Sequence, residues 1–333
     1  MTPTVHDVAR LAGVSIKTVS NVINGHPHVR ASTREKVQQA IAALGYTPNL
    51  TARNLRNGRT GVIALAVPDL SFSYFAELAG MVIARAEERG VVVLVEQTGG
   101  ERDRERELLR SPRLGLTDGL ILSPLGLEAS DLADRPRTYP TVLLGERVYD
   151  APVDHVTMQN VDAARAATEH LLAAGRRRIA VLGAHDGDGA AGLRLRGHRV
   201  ALADAGVAHD PDLIVATRFW DRAGGADAVR GLLARGVDFD AVFGLNDTLA
   251  LGAIRALQEA GRRVPDEVAV VGFDDLDEAA YAIPSLTTID PGRRWIAQTA
   301  VDTLLGRVGD AAGEARVVSA PFEVRVRESA PRR

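Results

Sequence analysis

The hydrophobic positions in the first part of the chain recur at the three- and four-residue spacing of amphipathic helices. The spacing predicts a first helix over residues 5–12 and a second from about residue 16 to Asn24-Gly25. A third helix is predicted from Ser32 to Gly45. The predicted N-terminal caps are Thr4 with Asp7, Ser15, and Ser32 with Glu35.

The second of these helices has one apolar and one polar face. Val19, Val22 and Ile23 face inward, and the opposite face carries Ile16, Lys17, Ser20, Asn21 and Asn24. Two short helices joined by a tight turn at Gly13-Val14, with an outward polar face on the second, are typical of a helix-turn-helix unit that reads the major groove of DNA. A small three-helix bundle without DNA is the alternative.

From Gly61 onward, short β-branched runs alternate with helical stretches. The predicted strands are 62–67, 91–95, 119–122, 141–144, 179–182, 241–243 and 268–272, and the predicted helices include 75–89, 160–174, 191–206, 222–235 and 246–260. This alternation predicts an α/β fold with parallel sheets that are covered by helices on both faces. Ligands of such sheets bind beyond the carboxyl ends of the strands.

Several polar and aromatic residues are predicted near those strand ends. They are Asn246-Asp247, Asp274-Asp275, Arg194 and Trp220, with Phe72, Tyr74 and Phe75 after the first strand. Carboxylates, an amide and a guanidinium suit a neutral polyol, whose hydroxyl groups both donate and accept hydrogen bonds, and an aromatic ring suits the apolar face of a sugar. Asn246 as a simple helix cap and Trp220 as core packing are the alternatives.

Charge divides the chain unevenly. Residues 1–60 contain eight basic and two acidic residues, a net +6, whereas the remaining residues contain 32 basic and 41 acidic residues, a net −9. An excess of positive charge around a helix-turn-helix pattern favours binding of the first segment to nucleic acid.

The 333 residues include no cysteine, which excludes disulfides, thiolate nucleophiles and cysteine-based metal sites. The N-terminus has no basic start with an apolar run, and no later segment reaches the length of a membrane span. We therefore expect a cytoplasmic protein that has no membrane partner, cofactor or metal.

Enzymatic interpretations find little support. The body lacks a phosphate-binding loop, a dinucleotide fingerprint after its first strand, and a nucleophile elbow. His185-Asp186-Gly187-Asp188 is better explained as a flexible rim than as a metal cluster, and Arg196 as a solvated or structural neighbour. The alternating charges from Arg102 to Glu107 predict a solvated helix face. A sugar-processing enzyme remains an alternative, and we expect no catalytic activity.

The stretches 5–24, 33–37 and 44–49 closely resemble the head of the lactose-repressor (LacI/GalR) family, and the resemblance continues along the whole chain. It implies that Ile16, Lys17 and Asn21 contact base edges. It also implies a hinge helix after Pro48, in which Leu55 wedges into the minor groove; a flexible linker is the alternative. The DNA-contacting set predicted for the head and hinge is completed by Thr4, Ser15, Thr18, Ser20, Asn24, Arg30, Asn49 and Ala52.

The resemblance also implies the organisation of the whole chain: an all-α head (1–47), a hinge (48–60) and a periplasmic-binding-protein-like, two-lobed body (61–333). Lobe 1 is predicted at about 61–158 plus 291–320, and lobe 2 at about 159–290 plus 321–333. In the family, the positions of Arg194, Asn246 and Asp274 bind the effector through hydrogen bonds, and that of Trp220 stacks on it. Phe72, Tyr74 and Phe75 are weaker candidates for the same site.

The expected protein is a homodimeric transcriptional repressor that binds a near-palindromic operator and is controlled by a small molecule, which we expect to be a sugar. A purine or other non-sugar effector stays open, as do activation and the sign of the response. The rival from another class is a solute-binding protein for transport, against which the basic head counts strongly.

Overall fold

A computed structural model describes residues 3–23, 26–46, 59–132, 139–148, 151–187, 189–308 and 313–332. The chain separates into two compact units, residues 1–61 and 62–333. The first contains the head, and the second is the body. No helix among these residues is long and apolar enough to cross a membrane.

The head contains three helices, α1 (Val5–Ala12), α2 (Ile16–Ile23) and α3 (Ala31–Leu44). Their apolar stripes form one small core, in which the fully buried side chains come from all three helices; these are Val8, Ala9, Val19, Val22, Val37 and Ala40. Ile23, Ile41 and Leu44 pack against this core while partly buried. The inward positions that the sequence predicts on the second helix, Val19, Val22 and Ile23, are therefore confirmed.

The N-termini of the head helices differ in how they are capped. Thr4 and Asp7 form the predicted reciprocal capping box at α1. The predicted box at Ser32 and Glu35 is wrong, because α3 begins at Ala31 and its N-cap is Arg30. The Arg30 carbonyl already accepts the first helical hydrogen bonds, so Ser32 lies inside the first turn rather than in front of it.

The body contains two six-stranded sheets. The strands are β1 (Val62–Val67), β2 (Val92–Gln97), β3 (Leu120–Leu122), β4 (Thr141–Leu144), β5 (Asp154–Thr157), β6 (Ile179–Leu182), β7 (Ile214–Val215), β8 (Ala241–Gly244), β9 (Ala269–Phe273), β10 (Thr287–Asp290), β11 (Val317–Ser319) and β12 (Glu323–Arg325). The order is β11-β5-β4-β3-β1-β2 in lobe 1 and β12-β10-β9-β8-β6-β7 in lobe 2. All pairings are parallel except that of β10 with β12.

Helices cover both faces of each sheet, and each lobe has apolar clusters on either side of its strands. The α-helices of the body are α4 (Ser73–Glu88), α5 (Arg102–Arg110), α6 (Ala129–Leu132), α7 (Asn160–Ala173), α8 (Ala190–Asp204), α9 (Arg222–Ala234), α10 (Asp247–Glu259), α11 (Asp277–Tyr281) and α12 (Arg293–Arg307). A 3₁₀ helix covers Pro112–Leu116 and another Pro211–Leu213.

The chain crosses between the lobes three times. The crossings follow β5, β10 and β11, and the first two lead directly into helices α7 and α12. The first residues of these two helices, Asn160 and Arg293, therefore lie at the crossings. Both residues are buried.

The charged segment from Arg102 to Glu107 does not form a fully solvated face. Glu105 is completely buried, and its carboxylate accepts hydrogen bonds from the backbone N–H groups of Leu125, Gly126 and Leu127 at 2.8–2.9 Å. The predicted solvated face is wrong for this residue because its carboxylate satisfies the loop that follows β3. The side chains of Arg102 and Arg106 in the same helix lie against Asp131.

Candidate functional site

The face of α2 that we expect to read DNA lies at the surface of the head. Ile16, Lys17 and Ser20 are exposed, and Asn21 is half-buried. Ile16 is apolar yet 38% exposed, which fits contact with a thymine methyl group or a deoxyribose of the DNA. Val19 and Val22 lie on the other side of α2, in the core, so packing of the head fixes the direction of this face.

Three other predicted DNA contacts take part in hydrogen bonds at the N-termini of α1 and α2. The Thr4 hydroxyl donates to Asp7 at 2.7 Å, and Ser15 Oγ accepts from the backbone N–H of Thr18 at 3.1 Å. The hydroxyls of Ser15 and Thr18 also bond to each other at 2.9 Å. Arg30 is exposed. Asn24, Asn49, Ala52 and Leu55 lie outside the described residues.

A buried ion pair forms the centre of the candidate effector site in lobe 2. The guanidinium of Arg194 lies 3.8 Å from the carboxylate of Asp274, and the two residues are 4% and 5% exposed. Arg194 projects from α8, and Asp274 directly follows β9. The Phe273 ring lies 3.5 Å from the guanidinium carbon of Arg194, which fixes the plane of the side chain. Two of the predicted residues are therefore brought together.

The backbone at Asp274 is held in an unusual conformation. Asp274 has φ 122° and Asp275 has φ 51°, both in the region that favours glycine. The two side chains point to different partners, because Asp275 accepts from Arg327 at 2.6 Å whereas Asp274 faces Arg194. The strained turn therefore separates the two carboxylates and directs one of them toward the buried pair.

Trp220 and Asn246 lie beside this pair. The Trp220 ring centroid is 5.8 Å from the Arg194 guanidinium, and its indole N–H donates to the carbonyl of Gly183 at 3.1 Å. Asn246 caps α10 through Leu249 N–H at 2.9 Å, and its amide NH₂ donates to the Trp220 carbonyl at 3.0 Å. Asn246 thus has the helix-cap role that we considered as its alternative. It also holds the segment that carries Trp220.

Asp247 has a structural role in the same region. Its fully buried carboxylate accepts from Leu276 N–H at 2.8 Å and from the Thr288 hydroxyl at 2.5 Å. Burial, with the charge of Asp274 next, raises the pKa of Asp247 to about 7. Burial also raises the pKa of Asp274 to about 6, against the opposing effect of Arg194. The strand ends of lobe 2 therefore hold two carboxyl groups that titrate close to neutral pH.

The aromatic residues predicted after β1 lie at the start of α4 in lobe 1. Phe72 is the N-cap residue of α4, and the rings of Tyr74 and Phe75 meet edge to face at 5.1 Å. Burial, followed by the charge of Asp274, raises the pKa of Tyr74, and Arg194 also acts on it electrostatically. These interactions put the Tyr74 phenol near the ion pair of lobe 2, so the start of α4 faces the strand ends of the other lobe.

Direct bonds between the lobes surround this region, and we did not predict them from sequence. Ser73 donates to Glu278 at 2.6 Å, and the backbone N–H of Asp277 donates to Glu77 at 3.3 Å. Within lobe 1, Arg293 Nη1 donates to the same Glu77 at 2.5 Å. No local pattern marks these residues, because each partner is about 200 positions away in sequence.

Asn160 is another residue that sequence reasoning missed. It is 2% exposed, and its Oδ1 accepts from Arg194 Nε at 2.8 Å. Its place at the start of a helix that follows a strand was the available signal. That strand, β5, was not recognised.

The residues set aside from the site keep separate surroundings. His185 is exposed, and Asp186 pairs with Arg199 at 3.0 Å. Arg196 is exposed, and its guanidinium donates to the carbonyl of Gly187 at 3.4 Å. Within the part of the chain that the structure describes, no group of three or more His, Cys, Asp or Glu side chains is arranged to hold a metal ion.

Two regions of the chain match described protein families. Residues 4–49 match the bacterial regulatory proteins of the lacI family, and residues 168–330 match the periplasmic binding protein-like domain. Among curated proteins, the transcriptional regulator CelR of Thermobifida fusca is 38% identical over 92% of both chains. The transcriptional repressor PurR of Vibrio campbellii is 33% identical over 98% of both chains.

Solved structures agree with these relatives. A protein from Sanguibacter keddieii described as a LacI-family transcriptional regulator has 55% identity and a TM-score of 0.77, covering 82% of this chain and 99% of its own. A CelR–cellobiose complex has 34% identity, a TM-score of 0.70 and coverage of 98% and 99%. The lac repressor dimer bound to operator has 29% identity, a TM-score of 0.81 and coverage of 99% and 100%. The chain belongs to the lacI family of bacterial regulatory proteins.

Proposed function

We propose that this protein is a transcriptional repressor whose affinity for operator DNA is controlled by a neutral sugar bound between the two lobes of its body. The observation that carries the effector part is the buried Arg194–Asp274 pair beside Trp220. A guanidinium, a carboxylate and an indole within a few ångströms can bind a hydroxylated ring by donating, accepting and stacking.

The charge of the site favours a neutral ligand over an ionic one. Arg194 is balanced by Asp274, and Arg293 by Glu77, so neither guanidinium offers an uncompensated charge to a phosphate or carboxylate. Among the similar proteins, one structure is a complex with cellobiose, and one relative is the transcriptional repressor PurR. A purine effector, which the sequence leaves open, is the alternative outcome of the experiment below.

The head supports the DNA part of the proposal. Its exposed face on α2 carries Lys17 and Ser20 beside Ile16, and the first 60 residues hold a net charge of +6. One helix-turn-helix unit makes too few contacts for gene-level specificity. We therefore propose a homodimer on a near-palindromic operator, as in the lac repressor dimer bound to operator. We also propose that it acts in the cytoplasm and has no catalytic activity.

The proposed function is tested in two steps with the full chain. An operator is first selected from a random DNA library by repeated binding and amplification. The protein is then screened by thermal shift with D-ribose, D-glucose, D-galactose, D-xylose, cellobiose, lactose, maltose, hypoxanthine and guanine. A ligand at a hundred times its dissociation constant adds about 2.7 kcal/mol to the free energy of unfolding.

We expect the library to yield a near-palindromic site and one of the sugars to stabilise the protein. Stabilisation by hypoxanthine or guanine alone contradicts the sugar assignment. Failure to enrich any DNA sequence contradicts the repressor assignment.

A further inference from the structure

Two helices of the body begin with a polar residue that is buried although it stands where the chain passes from one lobe to the other. Asn160 begins α7 after the crossing from lobe 1 to lobe 2, and Arg293 begins α12 after the crossing back. They are 2% and 6% exposed. Buried polar side chains are normally hydrogen-bonded, so each polar atom of these two residues is expected to have a partner.

The amide of Asn160 is only half satisfied. Its Oδ1 accepts from Arg194 Nε at 2.8 Å, which fixes the orientation of the amide. Its Nδ2 is buried and has no hydrogen-bond partner among the described residues. An unpaired buried donor is destabilising, and Asp at this position would keep the acceptor for Arg194 without such a donor.

Arg293 has a similar unpaired donor at the other crossing. Nη1 donates to Glu77 at 2.5 Å, and Nη2 donates to the carbonyl of Asp275. The third donor, Nε, is buried and unpaired within the described parts of the chain. Asp274 and Tyr74 are among the groups that act on Arg293 electrostatically, so Arg293 stands at the edge of the candidate site.

The two residues with unpaired donors are both linked to the same buried pair. Asn160 contacts Arg194, and Arg293 contacts the turn that carries Asp274. Both need an acceptor, and each hydroxyl or ring oxygen of a sugar supplies one. We propose that Asn160 Nδ2 and Arg293 Nε each donate a hydrogen bond to an oxygen of the effector, which makes both residues determinants of effector specificity. The proposal rests on the proposed function.

The placement of the donors gives the contacts a second consequence. The helix that Asn160 begins packs in the core of lobe 2, whereas the helix that Arg293 begins packs in the core of lobe 1. One ligand that bonds to both donors fixes the two crossings relative to each other. Both hydrogen bonds then form only in one arrangement of the lobes, which ties ligand recognition to lobe geometry.

Two variants remove the donors while each keeps one of the residue's contacts. Asn160→Asp keeps an acceptor for Arg194 and deletes Nδ2, and Arg293→Lys keeps a positive charge for Glu77 and deletes Nε. Gln159→Leu is the matched control, because Gln159 lies at the same crossing but its amide is already paired, with the carbonyl of Ala320 at 2.8 Å. Each variant is made in the full chain and titrated calorimetrically with the sugars named above.

We expect Asn160→Asp and Arg293→Lys each to weaken sugar binding by at least threefold to tenfold, and Gln159→Leu to leave it unchanged. Gln159→Leu should unfold more easily.

Wild-type sugar affinity in both donor variants overturns this inference alone. A wild-type chain that binds none of the sugars contradicts the proposed function, and this inference with it.

Discussion

Arg194 and Asp274 face each other across 3.8 Å in the interior of lobe 2, one from a helix and the other from a strained turn. Burial raises the pKa of Asp274, and the charge of Arg194 opposes this rise. A pair of this kind is a weak source of stability, because the cost of desolvating both charges offsets their attraction. We propose that its value lies in holding a donor and an acceptor ready for a ligand.

We predict that Asp274→Ala separates DNA binding from effector response. The substitution removes an acceptor from the body and leaves the head unchanged, so operator affinity without effector should be that of the wild type. The sugar response should be lost. Operator binding by fluorescence anisotropy, with and without sugar, measures both quantities, and release of DNA at the wild-type sugar concentration would show that the site lies elsewhere.

Trp220→Ala is expected to have a milder effect. Stacking adds affinity, but the indole also bonds to Gly183, so the response should shift to higher sugar concentration instead of disappearing. A sugar titration of the operator complex measures the shift. An unchanged midpoint would mean that Trp220 only packs against the lobe 2 core, with which it is in contact.

In the head, Lys17→Ala and Asn21→Ala should each cost about 1–3 kcal/mol of binding free energy on the selected operator and little on random DNA. The two residues lie one helical turn apart on α2, the first exposed and the second half-buried. Arg30→Ala is the comparison. If Arg30 contacts a phosphate, its loss should weaken binding to operator and to random DNA alike. Equal losses on operator and random DNA for Lys17→Ala would assign that residue to the backbone.

The raised pKa of Asp247 predicts how the stability of the body depends on pH. Asp in an unfolded chain titrates near 3.9, whereas Asp247 titrates at about 7 when folded. Between these values the folded state keeps a proton that the unfolded state releases, so this residue's contribution to stability falls as pH rises through that window. Above this pH window, the folded state bears the full free-energy cost of burying the charged Asp247 carboxylate.

Asp247→Asn removes this titration and keeps one acceptor oxygen for Leu276 N–H, while its amide NH₂ can donate to the Thr288 hydroxyl oxygen. The variant should therefore gain stability relative to the wild type, by roughly 2–4 kcal/mol, between pH 4 and pH 8. Urea unfolding followed by fluorescence reports on the body, because both tryptophans, Trp220 and Trp295, lie there. A difference that does not change with pH would place the titration on another group.

The elements that sequence predicted well are those in which local pattern and burial agree. Strands β1, β4 and β6 have the predicted ends because each is a short apolar run. Strands β5 and β10 were missed because their buried polar residues find partners far along the chain. The Asp154 carboxylate pairs with Arg307 at 2.7 Å, and the Thr288 hydroxyl donates to Asp247.

The same reason limits prediction of the site. Arg194 and Asp274 were predicted because they match family positions near strand ends. Such a match can be recognised in a single sequence. Asn160 and Arg293 were not predicted, since the role proposed for them rests on donors that have no partner among the described residues. Burial of a polar atom without a partner is not visible in the spacing of residues.

The central claim is that sugar and operator binding are coupled in one protein, and an operator titration at rising sugar concentration tests it most directly. We predict that the sugar lowers operator affinity, and that saturating operator lowers sugar affinity by the same factor, as thermodynamic linkage requires. Asp274→Ala should show neither change. Operator affinity that stays constant while the wild-type protein is saturated with sugar would contradict the claim.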